Sequence, residues 1–174
     1  MAGSLIKIDE EIVTSAVASV TLGGSDWDSS YDVYMVRYNN VLPVNDNVLL
    51  SNRVTVSGTA DTTANYDYAY KLLQANTTFS NISGTNDTDN VLGTNGTGGN
   101  ESTNGIMYLF NFNNASEYSF GTVENTIRES DTNLRGLQGG FVNTVSQICD
   151  GLQFFYASGN IASGQFVLYG LKKA

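Results

Sequence analysis

Along most of this chain apolar and polar residues alternate with a period of two, which sends successive side chains to opposite faces of an extended backbone. In residues 33–38, Tyr34, Val36 and Tyr38 share one face and Val33, Met35 and Arg37 the other. Residues 17–22 set Ala18, Val20 and Leu22 against Val17, Ser19 and Thr21. In residues 48–56, Leu50, Val54 and Val56 share a face with Asn52, while Ser51, Arg53 and Thr55 suit water. Residues 106–112 are apolar on both faces apart from Asn111, so this strand needs cover on both sides, from a second sheet or another subunit. Further strands are predicted at 118–123, 137–145, 148–156 and 165–171. Residues 66–73 fit both periods. Tyr66, Tyr68 and Tyr70 alternate, yet Tyr66, Ala69, Tyr70 and Leu73 match a helix, and the reading here favours a strand or short turn. Gly23, Gly24 and Ser25 end one strand, and Asn39, Asn40 and Pro43 break another.

The pattern predicts roughly eight to ten strands with turn signals between them and no amphipathic helix of normal length, which is the signature of a β-sandwich. Residues 4–13 predict an extended opening segment. Residues 75–104 are rich in Asn, Thr, Ser and Gly and hold no Lys or Arg. They predict a long polar loop with room for a short strand at 78–82, and a loop of that length in a compact domain is functional or mobile. The domain organisation expected is an N-terminal docking segment at 1–15 and a single sandwich domain at 16–174.

Composition narrows the class. Tyr, Phe, Val and Thr favour strands, and Asn and Gly favour turns. The net charge of −9 argues against a protein that holds nucleic acid, because phosphate contacts need clustered Lys and Arg. The only adjacent basic pair is Lys172 with Lys173. The opening residues lack a basic region followed by an apolar run, and no stretch approaches the ~20 apolar residues of a membrane helix, so neither a secretory leader nor membrane insertion is expected.

Candidate chemistry is sparse. The absence of histidine removes the commonest general base and metal ligand. The single cysteine, Cys149 between Ile148 and Asp150, reads as a small buried hydrophobe. Asp26, Asp28 and Asp32 offer oxygen ligands of the kind Ca²⁺ takes, but they lack the glycine and distal glutamate of an EF-hand loop, and a capped polar turn explains them. Glu10 with Glu11, or Glu124 with Glu129, have the composition of a glycosidase pair without any known separation. Asn76, Asn81, Asn86, Asn95, Asn100 and Asn114 sit in Asn-x-Ser/Thr sequons, for which chance in an Asn- and Thr-rich chain is the plainer cause. Trp27 and the tyrosines suit either core and subunit packing or a sugar-binding platform. No catalytic residue, cofactor site or metal site is assigned.

Three stretches carry a resemblance: residues 27–40, residues 64–69, and the ending Ser158-Gly-Asn-Ile-Ala-Ser-Gly-Gln-Phe-Val-Leu-Tyr-Gly-Leu171. Together they resemble small virion structural proteins and fibre-tip domains of tailed bacteriophages, most specifically in the C-terminal motif. The resemblance spans roughly Val17 to Leu171 and matches 75–104 only in character. It implies a jelly-roll-like antiparallel β-sandwich assembled as a homotrimer. It implies a place on the virion surface after assembly in the bacterial cytoplasm, with residues 2–13 docking on the particle. Such a protein is a non-enzymatic capsid decoration (cement) or head-fibre protein bound to the major capsid protein. The alternative is a tail fibre or receptor-binding module that recognises host surface polysaccharide.

Overall fold

A computed structural model describes residues 4–129 and 133–171 and gathers the alternating segments into two antiparallel sheets. Thirteen strands are present among these residues: β1 (Leu5–Val13), β2 (Ser19–Gly23), β3 (Val33–Pro43), β4 (Val48–Val56), β5 (Thr59–Ala60), β6 (Tyr66–Gln74), β7 (Ser80–Asp87), β8 (Asn90–Asn95), β9 (Thr103–Phe110), β10 (Ser119–Arg128), β11 (Leu134–Asn143), β12 (Gly151–Tyr156) and β13 (Ile161–Leu171). One 3-10 turn covers Gly24–Asp26, and the described residues hold no α-helix. The ambiguous segment at 66–73 is therefore strand.

The long sheet has the order β1-β13-β3-β9-β10-β11-β6-β7. The short sheet runs β2-β12-β4-β5, with β8 also paired to β4. Eight of these strands alternate between the sheets: β1, β3, β9 and β13 in the long one, and β2, β4, β8 and β12 in the short one. That interleaving is jelly-roll connectivity, in which hairpins fold across from one sheet to the other. The remaining long-sheet strands, β10, β11, β6 and β7, extend the sheet beyond β9.

The core lies between the sheets and follows the alternation. Tyr34, Val36 and Tyr38 are fully buried, as are Leu22, Leu50 and Val54. Phe154 of β12 packs between Tyr38 and Phe166, with ring centroids 5.7 and 5.0 Å away. A second, polar layer lies beside these rings. Tyr70 donates to Asn90 Oδ1, Asn90 donates 2.9 Å to Asn52, and Asn125 donates to the Leu92 carbonyl at 2.8 Å. These amides are buried, and pairing them removes most of the cost of taking them from water.

Two expectations are corrected. The polar loop at 75–104 is instead β7, β8 and the start of β9. β7 is an edge strand on β6, so it needs little apolar surface. β8 buries Leu92 between Asn90 and Asn95, whose amides are held by hydrogen bonds, and a bulge at Gly93 (φ 104°) interrupts its alternation. The break at Asn39, Asn40 and Pro43 is a bulge within β3. Asn40 takes φ 52°, its N–H donates to Asn104 Oδ1, and pairing resumes between Val41 and Thr103. The extended opening segment expected at 4–13 is present as β1. It pairs with β13 from Leu5↔Leu171 to Val13↔Gly164 and forms one edge of the long sheet. The pair Lys172 and Lys173 lies outside the described residues.

Candidate interaction face

The two sheets turn different faces to water. On the short sheet the outward row of Thr21, Gln153 and Arg53 is polar. The outward ring of Phe155 is capped by the Arg53 guanidinium at 4.2 Å, which is itself held by the Thr88 carbonyl at 3.0 Å and by Asp89. Among the described residues the long sheet has no such cap. Residues paired across antiparallel strands share a face, so its outward rows follow from the register.

One row runs Tyr169, Met35, Tyr108, Thr122, Gly140, Ala69 from β13 to β6. The next runs Val33, Phe110, Phe120, Val142, Asp67. Tyr108 and Phe120 are 42% and 44% exposed, and Leu5 and Leu171, paired at the β1 end, are 45% and 40% exposed. Apolar rings thus stand open on a nearly continuous band, where isolated exposures would call for no explanation. Between Phe110, Phe120 and Val142 the band dips into a groove of about 370 Å³ floored by Ala69, Thr122 and Gly140. Gly140 keeps that floor flat, since an added Cβ would sit 2.8 Å from the Gly121 carbonyl oxygen.

A polar row borders the band. It runs Glu10, Val167, Arg37, Ile106, Glu124, Gln138, Lys71, Asn81 across all eight strands. At the β1 end the charges are tied together: Lys7 donates 2.7 Å to Glu10, Gln165 donates 2.7 Å to Glu10, and Arg37 reaches Gln165 at 3.4 Å. The Lys7 and Gln165 donors hold the Glu10 carboxyl below its usual range, and the Glu10 carboxylate raises Lys7. Arg37 Nε is buried and finds no partner. Arg37 and Glu124 flank Ile106 around a depression of about 290 Å³.

The residues singled out from the sequence are scattered elsewhere. Asp26, Asp28 and Asp32 are exposed, and Asp28 accepts from the Ser30 N–H at 2.9 Å, a local turn that lowers its pKa through the Ser30 hydroxyl and N–H. Among the described residues no group of three or more acidic, His or Cys side chains could hold a metal ion. Trp27 is not an open platform. Its ring stacks on Tyr34 at 3.9 Å, and its N–H donates to Asn113 Oδ1 at 2.9 Å. Glu129 pairs with Arg135, and Glu124 lies alone on the outward row. Cys149 is fully buried, and burial pushes its thiol up to about 11. Asn95, one of the sequon asparagines, is fully buried with its amide engaged. Phe110 points outward in line with Val33 and Phe120.

The sequence held one signal for this face. Residues 106–112 are apolar on both sides, and the inward set is Met107 and Leu109 while Ile106, Tyr108 and Phe110 face out. What could not be read was which strands lie beside β9, and so whether the outward rings form a band. Comparison with known proteins finds no matching family model, no matching curated protein and no matching solved structure.

Proposed function

We propose that this protein is a non-enzymatic structural protein of a bacterial virus particle, a capsid decoration or head-fibre protein that works as a homotrimer on the particle surface. The observation that supports this most directly is the open apolar band on the long sheet. A band of this extent marks a surface that another protein covers. A sandwich that exposes one apolar sheet face and closes the other suits symmetric assembly. The motif that carries the phage resemblance, residues 158–171, lies largely in β13, the strand between the edge strand and β3 of that same sheet.

The test is the light-scattering mass of the purified protein, alone and after mixing with empty capsids. A trimer that co-sediments with capsids is the expected result. A monomer that ignores capsids and tails alike would overturn the reading.

One observation favours the alternative of a receptor-binding module. The hairpin β6–β7 carries a polar tip, Asn76, Thr77 and Thr78, with Phe79 beside it at 54% exposure. An exposed ring among amides and hydroxyls is the composition of a sugar-binding surface. Binding on a glycan array that is lost in Phe79→Ala would support this reading, and an array without binding would sink it.

A further inference from the structure

We infer that the outward face of the long sheet binds a second copy of this chain, and that Arg37 of one copy pairs with Glu124 of the next. This rests on reading that face as a contact surface and names its partner.

Arg37 on β3 and Glu124 on β10 stand on one outward row with Ile106 between them. Two strand spacings put their backbones ~10 Å apart with β9 between them, and within one chain the pair is left open. Among the described residues neither makes an ion pair: the three that form are Lys7–Glu10, Arg53–Asp89 and Arg135–Glu129. Arg37 also keeps a buried guanidinium N–H with no acceptor. Such a group is uncommon in a finished structure, because the orphaned donor has given up water and gained nothing. A planar guanidinium is suited to a carboxylate brought from outside, since its fork matches two oxygens at once.

Position then selects the partner. The cation lies on the β3 side of the row and the anion on the β10 side, each bordering the apolar band. A copy that lays its β3 side against the β10 side of its neighbour brings Arg37 to Glu124, Ile106 beside the contact, and the Met35 thioether and Tyr169 ring near the groove at Phe120. In the head-to-tail arrangement that the proposed homotrimer requires, each contact leaves each copy with one free half of the row. Three copies around an axis use every half. An unrelated apolar protein would cover the band but would leave the Glu124 carboxylate desolvated and unpaired, a costly arrangement.

The experiment uses the full chain and reads mass against concentration by sedimentation and light scattering. Glu124 is exposed, so Glu124→Arg leaves the core untouched, and an unchanged melting curve checks this. We expect Glu124→Arg to raise the dissociation constant on the order of a hundredfold through like charge at the contact. Arg37→Glu should do the same, and the double exchange Arg37→Glu with Glu124→Arg should restore most of the association. Glu124→Gln gives a milder, salt-insensitive weakening. Wild-type association in both single variants, or a double exchange no better than either, overturns the pairing. A wild type that stays monomeric overturns it too, while the protein's binding to capsids is scored separately and decides the broader reading. A mass of two chains with the same rescue supports the pairing and overturns the trimer.

Discussion

The Tyr156 hydroxyl donates to Asn95 Oδ1 at 2.8 Å, with both residues buried between the sheets. Asn95 Nδ2 in turn donates to the carbonyls of Val41 and Glu101 at 2.9 Å each. One amide therefore ties β8 to β12, to β3 and to the turn before β9. Replacing Asn95 by Leu strands a hydroxyl and two carbonyls, and we expect a loss of about 3 kcal/mol or more in urea unfolding. Tyr156→Phe leaves only the Asn95 oxygen unpaired and should cost about 1–2 kcal/mol. Equal stability of Asn95→Leu and wild type would show that the amide only fills space.

Phe154 and Phe110 look alike in sequence, and their surroundings separate them. Phe154 is fully buried between Tyr38 and Phe166. Phe154→Ala should cost about 3–5 kcal/mol. Phe110 faces outward, so Phe110→Ala should cost less than ~1.5 kcal/mol while weakening self-association. Thermal melts paired with mass measurements check both, and a similar drop in melting temperature for the two variants would contradict the placement.

Adjacent glycines at the end of β2 make a stricter test. Gly23 has φ 87°, and a Cβ there would lie 2.5 Å from the Asp150 carbonyl oxygen. Gly24 has φ 63°, but a Cβ there would meet only Gly58 Cα at 3.6 Å. Gly24→Ala should show the left-handed backbone cost alone, ~1 kcal/mol. Gly23→Ala adds a backbone clash and should exceed ~2 kcal/mol. The order of the two in denaturant midpoints is the readout.

On the alkaline side stability depends on buried phenols. Burial raises Tyr38, Tyr66, Tyr70 and Tyr156 above the ordinary 10.0 and Cys149 to about 11. A folded pKa above the unfolded one gives stability that is complete below the unfolded value, 10.0 for the phenols and 9.0 for the thiol, and lost as pH rises through the folded values. Tyrosine absorbance should therefore show part of the ten tyrosines ionising with the sheet signal intact, and the rest only as circular dichroism collapses. Smooth ionisation of all of them in the folded protein would contradict this.

Asp61 acts in the opposite direction. Burial pushes its carboxyl up, but the Thr63 hydroxyl and N–H and the amides of Asn143 and Gln147 outweigh it, and its pKa falls below 3.8. Its contribution is present above that value and is lost as pH falls through the lowered one. Asp61→Asn should flatten the acid limb of the stability curve below pH ~4, as read by melts across pH.

Much of this architecture was legible in the sequence because alternation reports burial directly. Tyr34, Val36 and Tyr38 were assigned to one face from spacing alone, and they are fully buried. Asparagine defeated the same reading. Asn90, Asn95 and Asn125 look like turn residues, yet each is buried in a strand with its amide paired across the sandwich. Pairing partners distant in sequence, such as Asn125 with the Leu92 carbonyl, leave no periodic trace. The interaction face was legible only in part, since the alternation exposes Tyr108 and Phe110 but is silent on their neighbours Phe120 and Met35.

The edge strand β1 has a further consequence for how the molecule comes into being. Leu5 pairs with Leu171, so the earliest strand of the long sheet has no partner until the last one exists. On a ribosome β1 must wait, extended and unpaired, while all the intervening chain is made, and the long sheet completes only after release of residue 171. Closure across so long a stretch of sequence makes folding slow, and an unpaired strand kept waiting is open to pairing with another nascent chain. Lys7, Asp9, Glu10 and Glu11 space charge along that strand, a distribution that keeps a waiting edge from joining the wrong partner.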